Sequence, residues 1–147
     1  MEGEPMATRQ TRSNMSTNRS TKNIHPIQKC AWAYAASFLG IVILDFVPGL
    51  RDARGLLFGL FVLLLVQDLL HFVSFVWAAS AARHSARQAM LYFVGFGTYY
   101  SLDALLGLLT GAPGVPTILV NLPHTILGSM ALYIGFVYGP RSGAWNK

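Results

Sequence analysis

Four long apolar blocks, separated by short polar or Gly/Pro-containing links, set the pattern of this chain. They run from about Cys30 to Leu50, Gly55 to Ala79, Gln88 to Thr110 and Thr117 to Tyr138. Each approaches the roughly 20 residues an α-helix needs to cross about 30 Å of hydrocarbon. The links "PGLRDARG", "SAARHSAR" and "GAPGVP" are short, so successive helices must run antiparallel. None of the blocks carries the polar face that a soluble bundle presents to water. The pattern therefore predicts an all-α fold, an integral membrane four-helix bundle over residues 30–138. Residues 1–29 form a basic tail with few apolar residues and are expected to be disordered, and residues 139–147 form a second, short tail. The first tail lacks the apolar core of a secretory signal.

Composition agrees with this pattern. Charged residues make up only 12% of the chain, against about 25% in a typical soluble domain. The net charge of +5 would suit nucleic acid, but the basic residues cluster at the ends of the apolar blocks. That placement fits the lipid bilayer, with anionic lipids meeting the basic tail, and argues against nucleic acid. Nine of the eleven Lys and Arg residues fall on the tail, the second link and the C-terminal end. Both termini are therefore expected to be cytoplasmic, with Arg51 and Arg54 alone on the opposite side. The single cysteine, Cys30, excludes an intrachain disulfide and a Cys-based metal site. Its position at the start of the first block permits palmitoylation, although an inert small residue is the simpler reading.

The first two blocks resemble the last two. "YAASFLGIVILDFVPGL" aligns without gaps on "YFVGFGTYYSLDALLGL", matching Tyr34 with Tyr92, Phe38 with Phe96 and Asp45 with Asp103. "DLLH" then matches "NLPH", pairing Asp68 with Asn121 and His71 with His124. Matched polar residues carry more weight than matched leucines, so a duplicated helical hairpin is expected, related by an axis along the membrane normal. Asp45 and Asp103 each lie sixteen residues beyond a flanking base, Lys29 and Arg87, or about 24 Å along a helix. The histidines are expected at a similar depth, so Asp45, Asp68, His71, Asp103, Asn121 and His124 form one candidate intramembrane polar cluster.

A carboxylate near the centre of a spanning helix costs about 2.5–3.5 kcal/mol, so these groups should face inward and be partnered. Four readings remain open. Asp–His or Asp–Tyr hydrogen bonds can simply fix helix register. Asp/His chains also serve as proton paths. His71 and His124 can be axial haem ligands, and Asp45, His71, Asp103 and His124 offer donors for a divalent metal. No cofactor is expected ahead of the others. No nucleophile triad, P-loop or dinucleotide motif appears, so an enzyme is not expected. "GLLFG" and "GLLTG" fit small-xxx-small spacing within the bundle or between protomers. Pro48 and Pro123 read as a helix end and a kink, and His25 and His84 as surface residues. A homo-oligomer, or a structural subunit of a larger membrane complex, is the competing class of function.

The order of "HPIQK", "FVPGL", "DLLHFVSF", "ARHSARQAMLYFVGFGTYY" and "NLPHTILG" resembles a bacterial family of small four-helix membrane proteins of unknown function, the DUF four-three-eight-three type. The resemblance covers most of residues 25–138 and implies a bacterial inner-membrane protein with no established activity. It implies family histidines at His71 and His124 and polar partners at Asp68 and Asn121. Gln67 and Val120 depart from the expected pattern, where a histidine and an acid would stand.

Overall fold

The computed structural model describes residues 23–53, 56–58, 61–62, 65–111 and 117–146. Most of the N-terminal tail, Gly55 and Gly59 of "GLLFG", and residues 112–116 lie outside the described residues. Four long helices carry the described chain: α1 (Pro26–Asp45), α2 (Leu65–His84), α3 (Ala86–Thr110) and α4 (Thr117–Tyr133). Between α1 and α2 lies a two-stranded hairpin, β1 (Leu56–Leu57) and β2 (Phe61–Val62), with Leu56 opposite Val62. A π-helical turn, Ile134–Tyr138, extends α4 into α5 (Gly139–Arg141), and a 3₁₀ turn follows at Ala144–Asn146.

The second helix is displaced from its expected position. The apolar run from Gly55 was expected to be helical throughout, yet α2 begins only at Leu65 and continues past Ala79 to His84. An unbroken apolar run has no period that separates a strand from a helix. Phe58, between the strands, takes a left-handed φ of 53°, which ends any regular helix there. At the other end, "SAARH" is rich in strong helix formers and extends α2. Ser85 alone then turns the chain, capping α3 by accepting the Gln88 N–H at 3.1 Å on its Oγ.

One end of the bundle is closed by contacts among α1, α2, α3 and the C-terminal turns. His25 caps α1: its Nδ1 accepts the Ile27 N–H at 3.4 Å, and its own N–H donates to Gln28 Oε1 at 3.1 Å. That leaves the His25 Nε2–H to donate to the Ser142 carbonyl, 3.1 Å away. Gln28 Nε2 donates to the Ala82 carbonyl at 2.8 Å, tying the start of α1 to the end of α2. Ala144 is fully buried, and the Arg87 guanidinium lies 5.8 Å from the Trp145 ring centre. His25 is therefore a structural clamp rather than an ordinary surface residue. Gln28→Ala removes the Gln28 half of the capping box and the tie to α2 and should lower stability by about 1–2 kcal/mol. Thermal melting in detergent measures this, and an unchanged midpoint would count against the clamp.

These contacts place the start of α1, the end of α2, the start of α3 and the C-terminal turns together, so the helices alternate in direction. The charges divide with them. Lys29, Arg83, Arg87 and Arg141 belong to this end, while the four described acids, Asp45, Asp52, Asp68 and Asp103, belong to the other half.

An aromatic core joins α1 to α3. Tyr34 meets Tyr92 edge-on at 6.5 Å and Phe93 at 5.0 Å, and Phe38 meets Phe96 at 5.2 Å. Such pairs contribute about 0.5–1.5 kcal/mol each beyond area burial. The Tyr34 hydroxyl donates to the Leu127 carbonyl at 3.0 Å, linking α1 to α4. α1 packs chiefly on α2, and α3 chiefly on α4.

The α3–α4 seam is built on small residues. A Cβ on Gly97 would stand 2.7 Å from the Leu132 backbone nitrogen, and one on Gly135 would stand 2.8 Å from that of Val94. Gly135 lies in the π-helical turn, where the Gly139 N–H reaches back to the Ile134 carbonyl. Pro140, lacking an N–H, cannot continue the ordinary ladder just beyond.

Among the described residues, three segments are long and apolar enough to cross a membrane: Pro26–Asp45, Leu65–His84 and Val120–Arg141. The third block does not reach that apolarity, contrary to the expectation of four equivalent spans. Tyr92, Tyr100, Ser101 and Asp103 dilute α3; the two tyrosines are buried in this central helix, whereas the Asp103 side chain is 48% exposed and does not face inward as expected. Tyr92, Phe93, Phe96, Gly97 and Tyr100 are all buried. The outer faces are apolar instead: Leu65, Val66, Leu69, Leu105, Leu109 and Ile118 each expose more than half their surface.

Candidate functional polar layer

The polar layer occupies the acidic half of the bundle. Asp45 is the last residue of α1, so it does not stand mid-helix as the spacing had implied. A carboxylate at a helix C-terminus faces the negative end of the dipole, and Arg51 offsets this with a direct ion pair. The Asp45 side chain is only 3% exposed, whereas that of Arg51 is 38% exposed. The turn that brings Arg51 back is held by the Phe58 N–H donating to the Leu50 carbonyl at 3.1 Å and by a bridge between Arg51 and Leu57.

Asp68 lies in the first turn of α2. Because the helix begins ten residues later than expected, the charge sits where the helix dipole favours an anion. It is buried and lies near enough to Asp45 and Arg51 for both to act on it electrostatically. Two acids and one arginine thus form a compact group at the α1–α2 end. Sequence reasoning treated Arg51 only as a loop charge; its six-residue spacing from Asp45, across a Pro-Gly turn, was the available signal.

One turn further along α2, the His71 ring stacks on Phe38 at 5.8 Å with planes 23° apart. In the second hairpin the His124 ring lies 4.5 Å from Tyr100. His124 Nε2 is 3.7 Å from Asp103 Oδ2, too far for a hydrogen bond and an ion pair only when the imidazole is protonated. The two histidines are near enough to interact electrostatically. Asn121 lies over Gly107, where a Cβ would overlap its amide. Gly107 of "GLLTG" therefore serves packing inside the bundle.

The six expected residues fall into two groups, Asp45–Asp68 with Arg51 and Asp103–His124, with His71 between them and Asn121 against α3. Among the described residues no three His, Cys, Asp or Glu side chains converge as a metal site, so Asp45, His71, Asp103 and His124 do not form the proposed ligand set. Both histidine rings pack against aromatic neighbours, His71 on Phe38 and His124 on Tyr100. Asp45 Oδ1, Asp68 Oδ1, His71 Nδ1 and His124 Nδ1 are buried without a hydrogen-bond partner among the described residues.

No protein-family model matches the chain, and neither a curated protein nor a solved structure matches it.

Proposed function

We propose that this chain is an integral membrane protein of four spanning helices, with both termini cytoplasmic, whose acidic half handles protons. The charge division supports the orientation: the described bases outside the Arg51 group lie at the end expected to be cytoplasmic. Contacts between matched residues, Tyr34 with Tyr92 and Phe38 with Phe96, support a duplicated hairpin, because equivalent residues beside a two-fold axis touch one another. α3 joins the other three as a span because it is central to the packing, with Tyr92 and Tyr100 buried against its neighbours. The bacterial inner membrane enters through the family resemblance of "DLLHFVSF" and "NLPHTILG".

The observation that carries the proton reading is a pair of buried aspartates, Asp45 and Asp68, each with a buried carboxyl oxygen that has no hydrogen-bond partner among the described residues, beside the single cation Arg51. With one arginine for two buried carboxyls, the group offers a place for one exchangeable proton, and the buried Nδ1 atoms of His71 and His124 extend the layer toward Asp103. A scaffold role is the second reading, favoured by the Tyr34–Leu127 bond between helices.

Vesicles containing the reconstituted protein and an internal pH dye separate the two. Wild type should dissipate an imposed pH gradient. Asp68→Asn should slow this at least about tenfold, on the scale of a removed proton-transfer group, while keeping wild-type helicity and melting. Gradient decay no faster than in empty vesicles would sink the proton reading. Loss of fold in Asp68→Asn would favour the scaffold.

A further inference from the structure

A groove of about 610 Å³ opens on the outer surface between α1 and α2, at the basic end. Phe75, Val76 and Ala79 form its apolar wall, Trp32 flanks it from α1, and Arg83 and His84 stand at its mouth. The small side chain of Ala79 leaves the space, and the run from Phe75 to Arg83 is about 12 Å along the helix. Arg83 and His84 are exposed, and neither forms an ion pair with a described residue. No described acid lies at this end of the bundle. The polarity therefore runs from cationic at the mouth to apolar in depth, with a tryptophan at the boundary where indoles favour the headgroup level.

We infer that this groove holds one anionic glycerophospholipid of the cytoplasmic leaflet, its phosphate on Arg83 and an acyl chain along Phe75, Val76 and Ala79. The inference rests on the membrane reading above and adds a specific lipid site to it. Charge complementarity selects the anionic class: an arginine without an acidic partner, beside a histidine, suits a phosphate that bears no compensating cation. A zwitterionic headgroup would bring its own ammonium against Arg83. The apolar wall selects a lipid over a soluble anion, because Phe75, Val76 and Ala79 line the groove and Val76 leaves nearly half its surface, 47%, open to it.

The experiment begins with membranes carrying the full chain, extracted with alkaline carbonate. Release of the chain would overturn the membrane reading and the lipid site together. Retained protein is then purified in mild detergent and melted with added phosphatidylglycerol, phosphatidylcholine or inorganic phosphate. Phosphatidylglycerol should raise the melting temperature, and the other two should leave it unmoved. Arg83→Gln should need about tenfold more phosphatidylglycerol for the same shift, as for the loss of one charge-assisted contact. Arg83→Lys should recover most of the effect. Val76→Trp, which fills the groove without touching the charge, should weaken it as well. Equal protection by phosphatidylcholine, or an unaltered response in Arg83→Gln, would overturn the lipid site and leave the membrane reading standing. Protection by phosphate at matched concentration would replace the lipid with a soluble anion.

Discussion

Gly97→Leu is expected to destabilise the bundle by about 3 kcal/mol or more, near the upper end for overpacking. The reason is where the new atoms would go. A Cβ at this position stands 2.7 Å from the Leu132 nitrogen and 3.1 Å from the Ala131 carbonyl carbon, so the obstacle is backbone, which cannot rotate away. α3 and α4 would have to separate, and Tyr92, Phe93 and Phe96 would lose their packing with them. Two other glycines calibrate the result. A Cβ on Gly95 would meet only the far edge of the Trp77 ring, at 2.9 Å, so Gly95→Ala should be milder. Nothing lies within 4 Å of a Cβ on Gly40, and Gly40→Ala should be neutral or stabilising by up to about 1 kcal/mol from helix propensity. Thermal melting of the three variants in one detergent gives the order. If Gly97→Leu melted with Gly40→Ala, the helices would not approach as closely as the seam requires.

Gly128 and Ala131 of α4, with Gly135 and Gly139 in the turns that continue it, stand at helical spacing along that seam, whereas "GLLFG" and "GLLTG" stand out in the sequence because they flank apolar runs. Yet close packing is decided by which face meets the neighbour, and a glycine spacing by itself does not say. The apolar blocks and the matched Asp and His positions were legible, because hydropathy and repeated polar residues are one-dimensional signals. The start of α2 was not. Gly55 and Gly59 read equally well as a packing motif or as breakers, and the continuous leucines around them erased any period. That single ambiguity moved Asp68 from the first turn of a helix into the apparent middle of a membrane span. It made the residue look more costly than its place at a positive helix end implies. The partnership of Asp45 with Arg51 was hidden for a related reason: it depends on the chain folding back through Pro48 and Gly49. Gly49 takes a φ of 88°, which few other residues adopt.

Arg51→Leu carries the second large effect, and it bears directly on the proton reading. Removing one partner of a buried ion pair costs about 3–5 kcal/mol, because the remaining charge is left without compensation. Asp45 is buried enough for that scale to apply. Arg51 is more than a third exposed, so water screens part of the attraction and the lower end, about 3 kcal/mol, is expected. The loss should be larger than for a lone pair in one respect: Asp68 leans on the same guanidinium, and Arg51→Leu leaves two carboxyls facing each other with no cation. The double variant Arg51→Leu/Asp45→Asn removes that conflict and should melt closer to wild type than Arg51→Leu alone. Melting of the wild type, both single variants and the double variant closes the cycle. Strict additivity would mean that Asp45 and Arg51 do not interact, and the compact acid group would dissolve as an explanation. A strong interaction with restored stability, but with gradient dissipation still absent in the double variant, would separate the two roles of Asp45. Its charge would then matter to folding only while Arg51 is present, whereas its ability to exchange a proton would matter to transport regardless.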